Sequence, residues 1–199
     1  MPSVTPREPE HVYIADRAAW RAWLAANYTQ NEGIWLVYDK GGNRQLSYDD
    51  LVEEALCFGW IDSKSGKVDD VQSKLWLAPR RSKSGWSRSN KVRVERLIAD
   101  GLMQPPGLAV IEAAKANGLW SKLDEAEALI EPPDLVAALD SLPPARDNWN
   151  AFPPSAKRAI LFWIGDAKRA ETRATRVAKT AEEAAVNRRA NEWVPKDAR

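Results

Sequence analysis

The chain has 199 residues, 44% of them apolar and 29% charged, with a net charge of +1, a globular composition well outside the low-hydrophobicity, high-charge regime of disorder. One cysteine, Cys57, and one histidine, His11, exclude an intramolecular disulfide and a Cys/His zinc site. No stretch approaches the roughly 18 to 20 apolar residues of a membrane-spanning helix. Met1 to Glu10 holds three prolines and lacks the apolar centre of a signal peptide, so a cytoplasmic, reducing location is expected.

Residues 1–10 read as a flexible tail, and His11 as a solvated residue beside it. Asp16 is placed to cap a helix reaching Tyr28, with Trp20, Trp23, Leu24 and Asn27 on one side. Ile34 to Tyr38 is a continuous β-branched and aromatic run that reads as a buried strand, ended by the turn Gly41-Gly42-Asn43. Ser47 with Asp50 three residues on resembles a capping box, followed by the apolar stripe Leu51, Val52, Ala55 and Leu56. Trp60 to Asp62 reads as a strand, Ser63 to Lys67 as a turn, and Lys74 to Leu77 as the return strand before Pro79. Ser87 or Ser89 caps a helix with Val94, Leu97 and Ile98 inward, stopped by Gly101. Pro105-Pro106 opens another, stopped by Gly118.

Beyond Trp120 no strand pattern returns. Helices are expected over 134–140, 145–152 and 155–164, then a long one from Asp166 to Asn191 whose Ala170, Ala174, Val177, Ala178, Ala181 and Ala185 trace one face. The fold class is therefore α+β: a small antiparallel or mixed sheet packed with helices, followed by an all-helical C-terminal subdomain. The expected division is an α+β domain over 11–120, a helical domain over 121–192 and a flexible tail over 193–199. Ten tryptophans imply a core with polar groups at its margins, where indole N–H groups find partners.

The charge is blocked rather than mixed. Asp49 to Asp70 is net −5, Pro79 to Arg96 is +6, Ser121 to Asp147 is −5 and Lys157 to Lys179 is +5. Pairing of opposite blocks within the chain is the simplest expectation.

The run Ala55-Leu56-Cys57-Phe58-Gly59-Trp60-Ile61-Asp62-Ser63, then Pro79-Arg80, Trp86-Ser87, Asn90-Lys91, Gly101 and Pro106-Gly107, resembles the signature of the YdeI/OmpD-associated, or bacteriocin-protection, family. Trp163-Ile164, Ala167-Lys168-Arg169 and Glu171-Thr172-Arg173 are similar to the helical domain that closes the same family. The resemblance covers about residues 10 to 180 and implies a bacterial protein, its family name recording a link to bacteriocin protection and to an outer-membrane porin, for which an indirect, stress-related role is expected. It brings no reaction and no catalytic residue.

No catalytic set emerges from the residues themselves. Cys57 lies at a helix C-terminus, where the dipole opposes thiolate formation, and reads as a core residue. Asp49-Asp50, Glu53-Glu54 and Asp69-Asp70 are adjacent pairs that point apart and read as solvated faces. Asp62, Asp69 and Asp70 lack the spacing of a calcium loop. Neither a P-loop nor a dinucleotide fingerprint is present, so no metal and no cofactor is expected. The most site-like stretch is Pro79 to Arg96, with Trp86 between two basic clusters ahead of a helix N-terminus, where an anion is favoured. Asp62, Arg80, Trp86, Ser87, Asn90 and Lys91 are the candidate ligand-binding residues, with an Asp62–Arg80 pair holding the loop. The expectation is a non-enzymatic binding protein for an anionic small molecule or a protein partner. The alternative is a nucleic-acid module using this loop and the basic residues of the last helix.

Overall fold

The computed structural model describes residues 10–41 and 45–192. The expected tails, apart from Glu10, and most of the Gly41-Gly42-Asn43 turn lie outside the described residues. The chain divides into two compact units, 1–121 and 122–199.

In the first unit, β1 (His11–Tyr13), β2 (Ile34–Asp39), β3 (Trp60–Lys67) and β4 (Gln72–Pro79) form a mixed sheet of order β1-β2-β4-β3. β1 runs parallel to β2, and the other pairs are antiparallel. His11 therefore belongs to an edge strand rather than to a tail, and Glu10 already accepts a backbone hydrogen bond from Trp35. With three residues, β1 is too short to show a period. β3 runs through the expected turn, and the chain reverses at 68–71. There Asp69 Oδ1 accepts from the backbone of Val71 (2.8 Å) and Gln72 (2.7 Å). A bulge between Asp62 and Ser65 breaks the alternation, and an edge strand tolerates the Ser-Gly residues that read as a turn.

Alternate residues of the central strands, Ile34, Leu36, Leu75 and Leu77, are buried against the helices. α1 (Arg17–Asn27) supplies Trp20 and Leu24, and is capped by Asp16 accepting from Ala19 at 2.8 Å, a cap worth about 1 kcal/mol. α2 (Tyr48–Cys57) has the complete capping box of Ser47 and Asp50. It is not striped but buried at every residue from Leu51 to Cys57, because α1, β3, α3 (Arg88–Ala99) and α4 (Pro105–Ala116) all pack on it. Two indoles are held by carbonyls at the margin: Trp20 donates to Leu51 (3.0 Å) and Trp60 to Tyr28 (3.2 Å). In α3, Val94 and Leu97 are buried but Ile98 is 45% exposed. Ile98 lies one position past Leu97, which carries it off the buried face. Gly107 allows α4 to approach α2, since a Cβ there would lie 2.3 Å from the Cys57 carbonyl oxygen.

Burial of α2 overturns the reading of Glu53 and Glu54 as solvated. They are 7% and 3% exposed. Glu54 takes Arg17 Nε at 2.7 Å and Arg21 Nη1 at 2.6 Å, while Glu53 takes Arg17 Nη2 at 3.2 Å and also pairs with Arg96. Buried carboxylates persist when paired and hydrogen-bonded.

The second unit is helical: α5 (Asp124–Glu127), α6 (Pro133–Asp140), α7 (Ala145–Ala151), α8 (Pro154–Gly165) and α9 (Ala170–Ala185). Leu135, Leu139, Trp149, Ile160, Ile164 and Val177 lead its core. Arg146 ties the α6–α7 corner to Glu131 and Asp140 (both 2.6 Å), and Trp149 donates to Glu131 at 2.7 Å. α9 is shorter than expected, and its buried residues are Val177, Thr180, Ala181 and Ala184, whereas Ala174 and Ala178 are exposed. The small residues cover two sides of the helix, so their spacing alone did not single out the inner one.

Candidate functional site

The segment between β4 and α3 starts where Arg80 donates its backbone N–H to Gly59 at 2.9 Å, extending the β3–β4 pairing by one residue. The Arg80 side chain lies against Trp86, a residue only 2% exposed. The guanidinium carbon lies 3.8 Å from the ring centroid, a cation–π geometry, and Nη2 donates to the Gly85 carbonyl. Three donors at this place are buried without a partner: Arg80 Nε, Arg80 Nη1 and Trp86 Nε1. An unmet buried donor costs about 1–3 kcal/mol, so three together form a local deficit of acceptors.

A cavity of about 110 Å³ opens beside them, lined among others by Arg80, Ser82, Ser84, Trp86, Ala113 and Asn117. Burial pushes Arg80 down to about 10, against the opposing pull of Asp62, so at neutral pH the cation is charged but poorly solvated. Trp120 packs on Trp86 with centroids 5.0 Å apart. Lys91 and Lys115 approach the Trp120 ring at 5.4 and 5.7 Å.

Arg80 and Trp86 thus come together, with Lys91 joined to them through Trp120. Asp62 and Arg80 form no ion pair. Asp62 instead accepts from the Tyr48 hydroxyl at 2.6 Å, and burial together with that carboxylate raises the phenol to about 12. Ser87 caps α3 by accepting from Asn90 at 3.4 Å, and Asn90 accepts from Arg93 at 3.3 Å, so both are engaged at the helix start. Cys57 is buried, and burial raises its thiol to about 11. Asp69 holds the hairpin and Asp70 pairs with Lys67. Among the described residues no three His, Cys, Asp or Glu side chains gather as a metal-ligating group. Tyr48, Asn117 and Trp120 escaped the sequence reading. Asn117 and Trp120 lie more than thirty residues from Arg80 in sequence, and no local motif links them.

Residues 128–187 match the family model described as bacteriocin-protection, YdeI or OmpD-associated. The helical unit carries a YdeI/OmpD-associated domain. Residues 12–110 match a different model, a domain of unknown function (DUF8412). The family match thus falls on the segment holding Trp163-Ile164 and Glu171-Thr172-Arg173, while the run from Ala55 to Ser63 and the residues Arg80 and Trp86 lie in the region of the second model. No curated protein and no solved structure matches the chain. No helix among the described residues, in the YdeI/OmpD-associated unit or before it, is long and apolar enough to cross a membrane.

Proposed function

We propose that the protein is a non-enzymatic, cytoplasmic binding protein whose first unit takes a small anionic group, a carboxylate or phosphate, in the Arg80–Trp86 pocket. The observation that carries this reading is that the two residues bearing the three buried, unpartnered donors, Arg80 and Trp86, both line one cavity. The unmet groups are all donors, one of them on a cation, and the Ser82, Ser84 and Asn117 side chains beside them can donate as well, which suits an acceptor-rich occupant. The cavity volume sets the size. Pockets for drug-sized molecules run to about 300–1,000 Å³, whereas about 110 Å³ admits an oxyanion or the anionic end of a longer ligand. The cytoplasmic placement rests on the lone, buried cysteine, and a stress-related role on the family of the second unit alone.

The nucleic-acid alternative at the same loop and the last helix has less support, because much of the charge is spent inside each unit. Arg93 binds Asp49 (2.6 Å), Arg96 binds Glu53, Arg173 binds Asp134 (2.7 Å), and Arg176 donates to the Trp163 carbonyl while lying over its ring at 5.1 Å.

The reading is tested by titrating phosphate, acetate and benzoate while following Trp fluorescence. A saturable change that is lost in Arg80→Met and weakened in Trp86→Phe is the expected result; Trp86→Phe keeps a ring but removes the indole donor. Undiminished binding by Arg80→Met would place the anion elsewhere.

A further inference from the structure

The sheet has a second face, away from the helices, that the Arg80 pocket does not use. Two registered rows cross it. The first places His11 beside Trp35, Trp35 beside Trp76, and Trp76 opposite the β3 bulge that contains Lys64; the second runs Tyr13, Val37, Lys74, Gly66. Three of these residues are aromatic. Trp35 and Trp76 are half-buried, with centroids 5.3 Å apart at 73°, and Tyr13 is 52% exposed. Trp76 is seated firmly: a Cβ on Gly33 would lie 2.5 Å from its ring.

Lysines occupy the ring faces. Lys74 lies 4.6 Å from the Trp35 centroid, and Lys64 lies 5.4 and 5.5 Å from Trp35 and Trp76. Neither lysine forms an ion pair with any described residue, which sets them apart from Arg17, Arg21, Arg93, Arg96 and Arg173. The acid on this face is already engaged, since Asp39 accepts from Tyr13 (2.8 Å) and Gln72 (3.0 Å). Aromatic rings on adjacent strands with unpaired cations beside them form a surface on which flat bases stack while neighbouring phosphates meet ammonium groups.

We propose that this sheet face binds single-stranded nucleic acid, with Trp35, Trp76 and Tyr13 as the stacking platform and Lys64 and Lys74 as the phosphate contacts. In the free protein the lysines rest on the rings; bases displace them, and the ammonium groups move to the backbone. The site is separate from the Arg80–Trp86 pocket.

The test is fluorescence anisotropy of a labelled oligothymidylate of about twelve nucleotides with the full-length protein, from about 50 to about 200 mM salt. Saturable binding is expected, with log K falling against log salt at a slope of about −1.4 for two single-strand phosphates. Trp35→Ala or Trp76→Ala should weaken it about tenfold or more, and Trp76→Phe should retain most of it. The double variant Lys64→Ala/Lys74→Ala, whose changes are on the surface, should bring the slope towards zero without altering the melting temperature. Arg80→Met should bind as wild type, so failure at this face is distinguishable from failure at the pocket. Absence of binding at the lowest salt, an unchanged slope in the lysine variant, or tighter binding of an oligoglutamate peptide would each overturn the proposal.

Discussion

Arg80 keeps its charge where water barely reaches, and the stack on Trp86 and one bond to Gly85 satisfy only part of it. The arginines around Glu53 and Glu54 differ in that each finds a carboxylate. Glu54 is the better anchored acid, with two arginines from α1 on its two oxygens. Glu54→Ala leaves Arg17 with Asp50 and Glu53 but Arg21 without its acid. The expected cost is about 2–3 kcal/mol, below the range for a fully buried pair because both arginines are about one-third exposed. Urea unfolding checks this, and a loss below about 0.5 kcal/mol would show the cluster to be incidental. At this scale the sequence was partly legible. Arg80 and Trp86 stood out because a tryptophan between basic clusters before a cap is unusual. Glu53 and Glu54 were misread because their partners lie on other helices, and adjacent acids on an isolated helix do face water.

Among the elements, the capped helices were the most legible, since Asp16, Ser47 with Asp50, and Ser87 act on their own next turn. The edges of the sheet were the least legible. β1 is held by its parallel pairing with β2, and β3 continues through Ser-Gly because β4 dictates its register. The approach of α4 to α2 depends on Gly107: Gly107→Ala drives a methyl against the Cys57 carbonyl and should cost about 1–3 kcal/mol by overpacking. A wild-type denaturation midpoint in that variant would contradict the close approach. Ion pairs within the second unit also set an acid limit. Arg173 holds Asp134, and Lys122 holds Asp166, below the usual carboxylate value of 3.8. A lowered folded-state value means that stability is complete above about 3.8 and is lost as pH falls towards the lower value. Melting temperature should therefore decline below about pH 4, and Arg173→Leu should blunt part of the decline. Since Asp134 is 44% exposed, the pair contributes less than about 1 kcal/mol. A melting temperature independent of pH down to about pH 2.5 would contradict it.

Over the whole molecule, the alternating charge blocks resolve into pairing within each unit. The acidic block at 49–70 meets the basic block at 79–96 through Asp49–Arg93 and Glu53–Arg96, and the block at 121–147 meets 157–179 through Asp134–Arg173 and, more loosely, Glu127–Arg158 at 4.0 Å. Near-neutral total charge thus reflects internal neutralisation in part, and among the cations without an ion pair are Arg80 in its pocket and Lys64 and Lys74 on the open sheet face. The α+β class and the change to helices after Trp120 were legible because strand and helix periods differ and three Pro-Pro pairs, Pro132-Pro133, Pro143-Pro144 and Pro153-Pro154, punctuate the second half. The pocket wall was not, because Ala113, Asn117 and Leu119 line it beside Arg80 only through the packing of α4 and the segment after it. The most direct measurement is thermal unfolding of the wild type and Arg80→Met with and without phosphate or a small carboxylate. Wild type should be stabilised by about 2.7 kcal/mol at a hundredfold excess over Kd. Arg80→Met should be at least as stable as wild type without ligand, because a poorly solvated charge and two unmet donors are gone, and should show no stabilisation by the anion. A destabilised Arg80→Met that still responds to the anion would contradict the assignment of the pocket as the binding site.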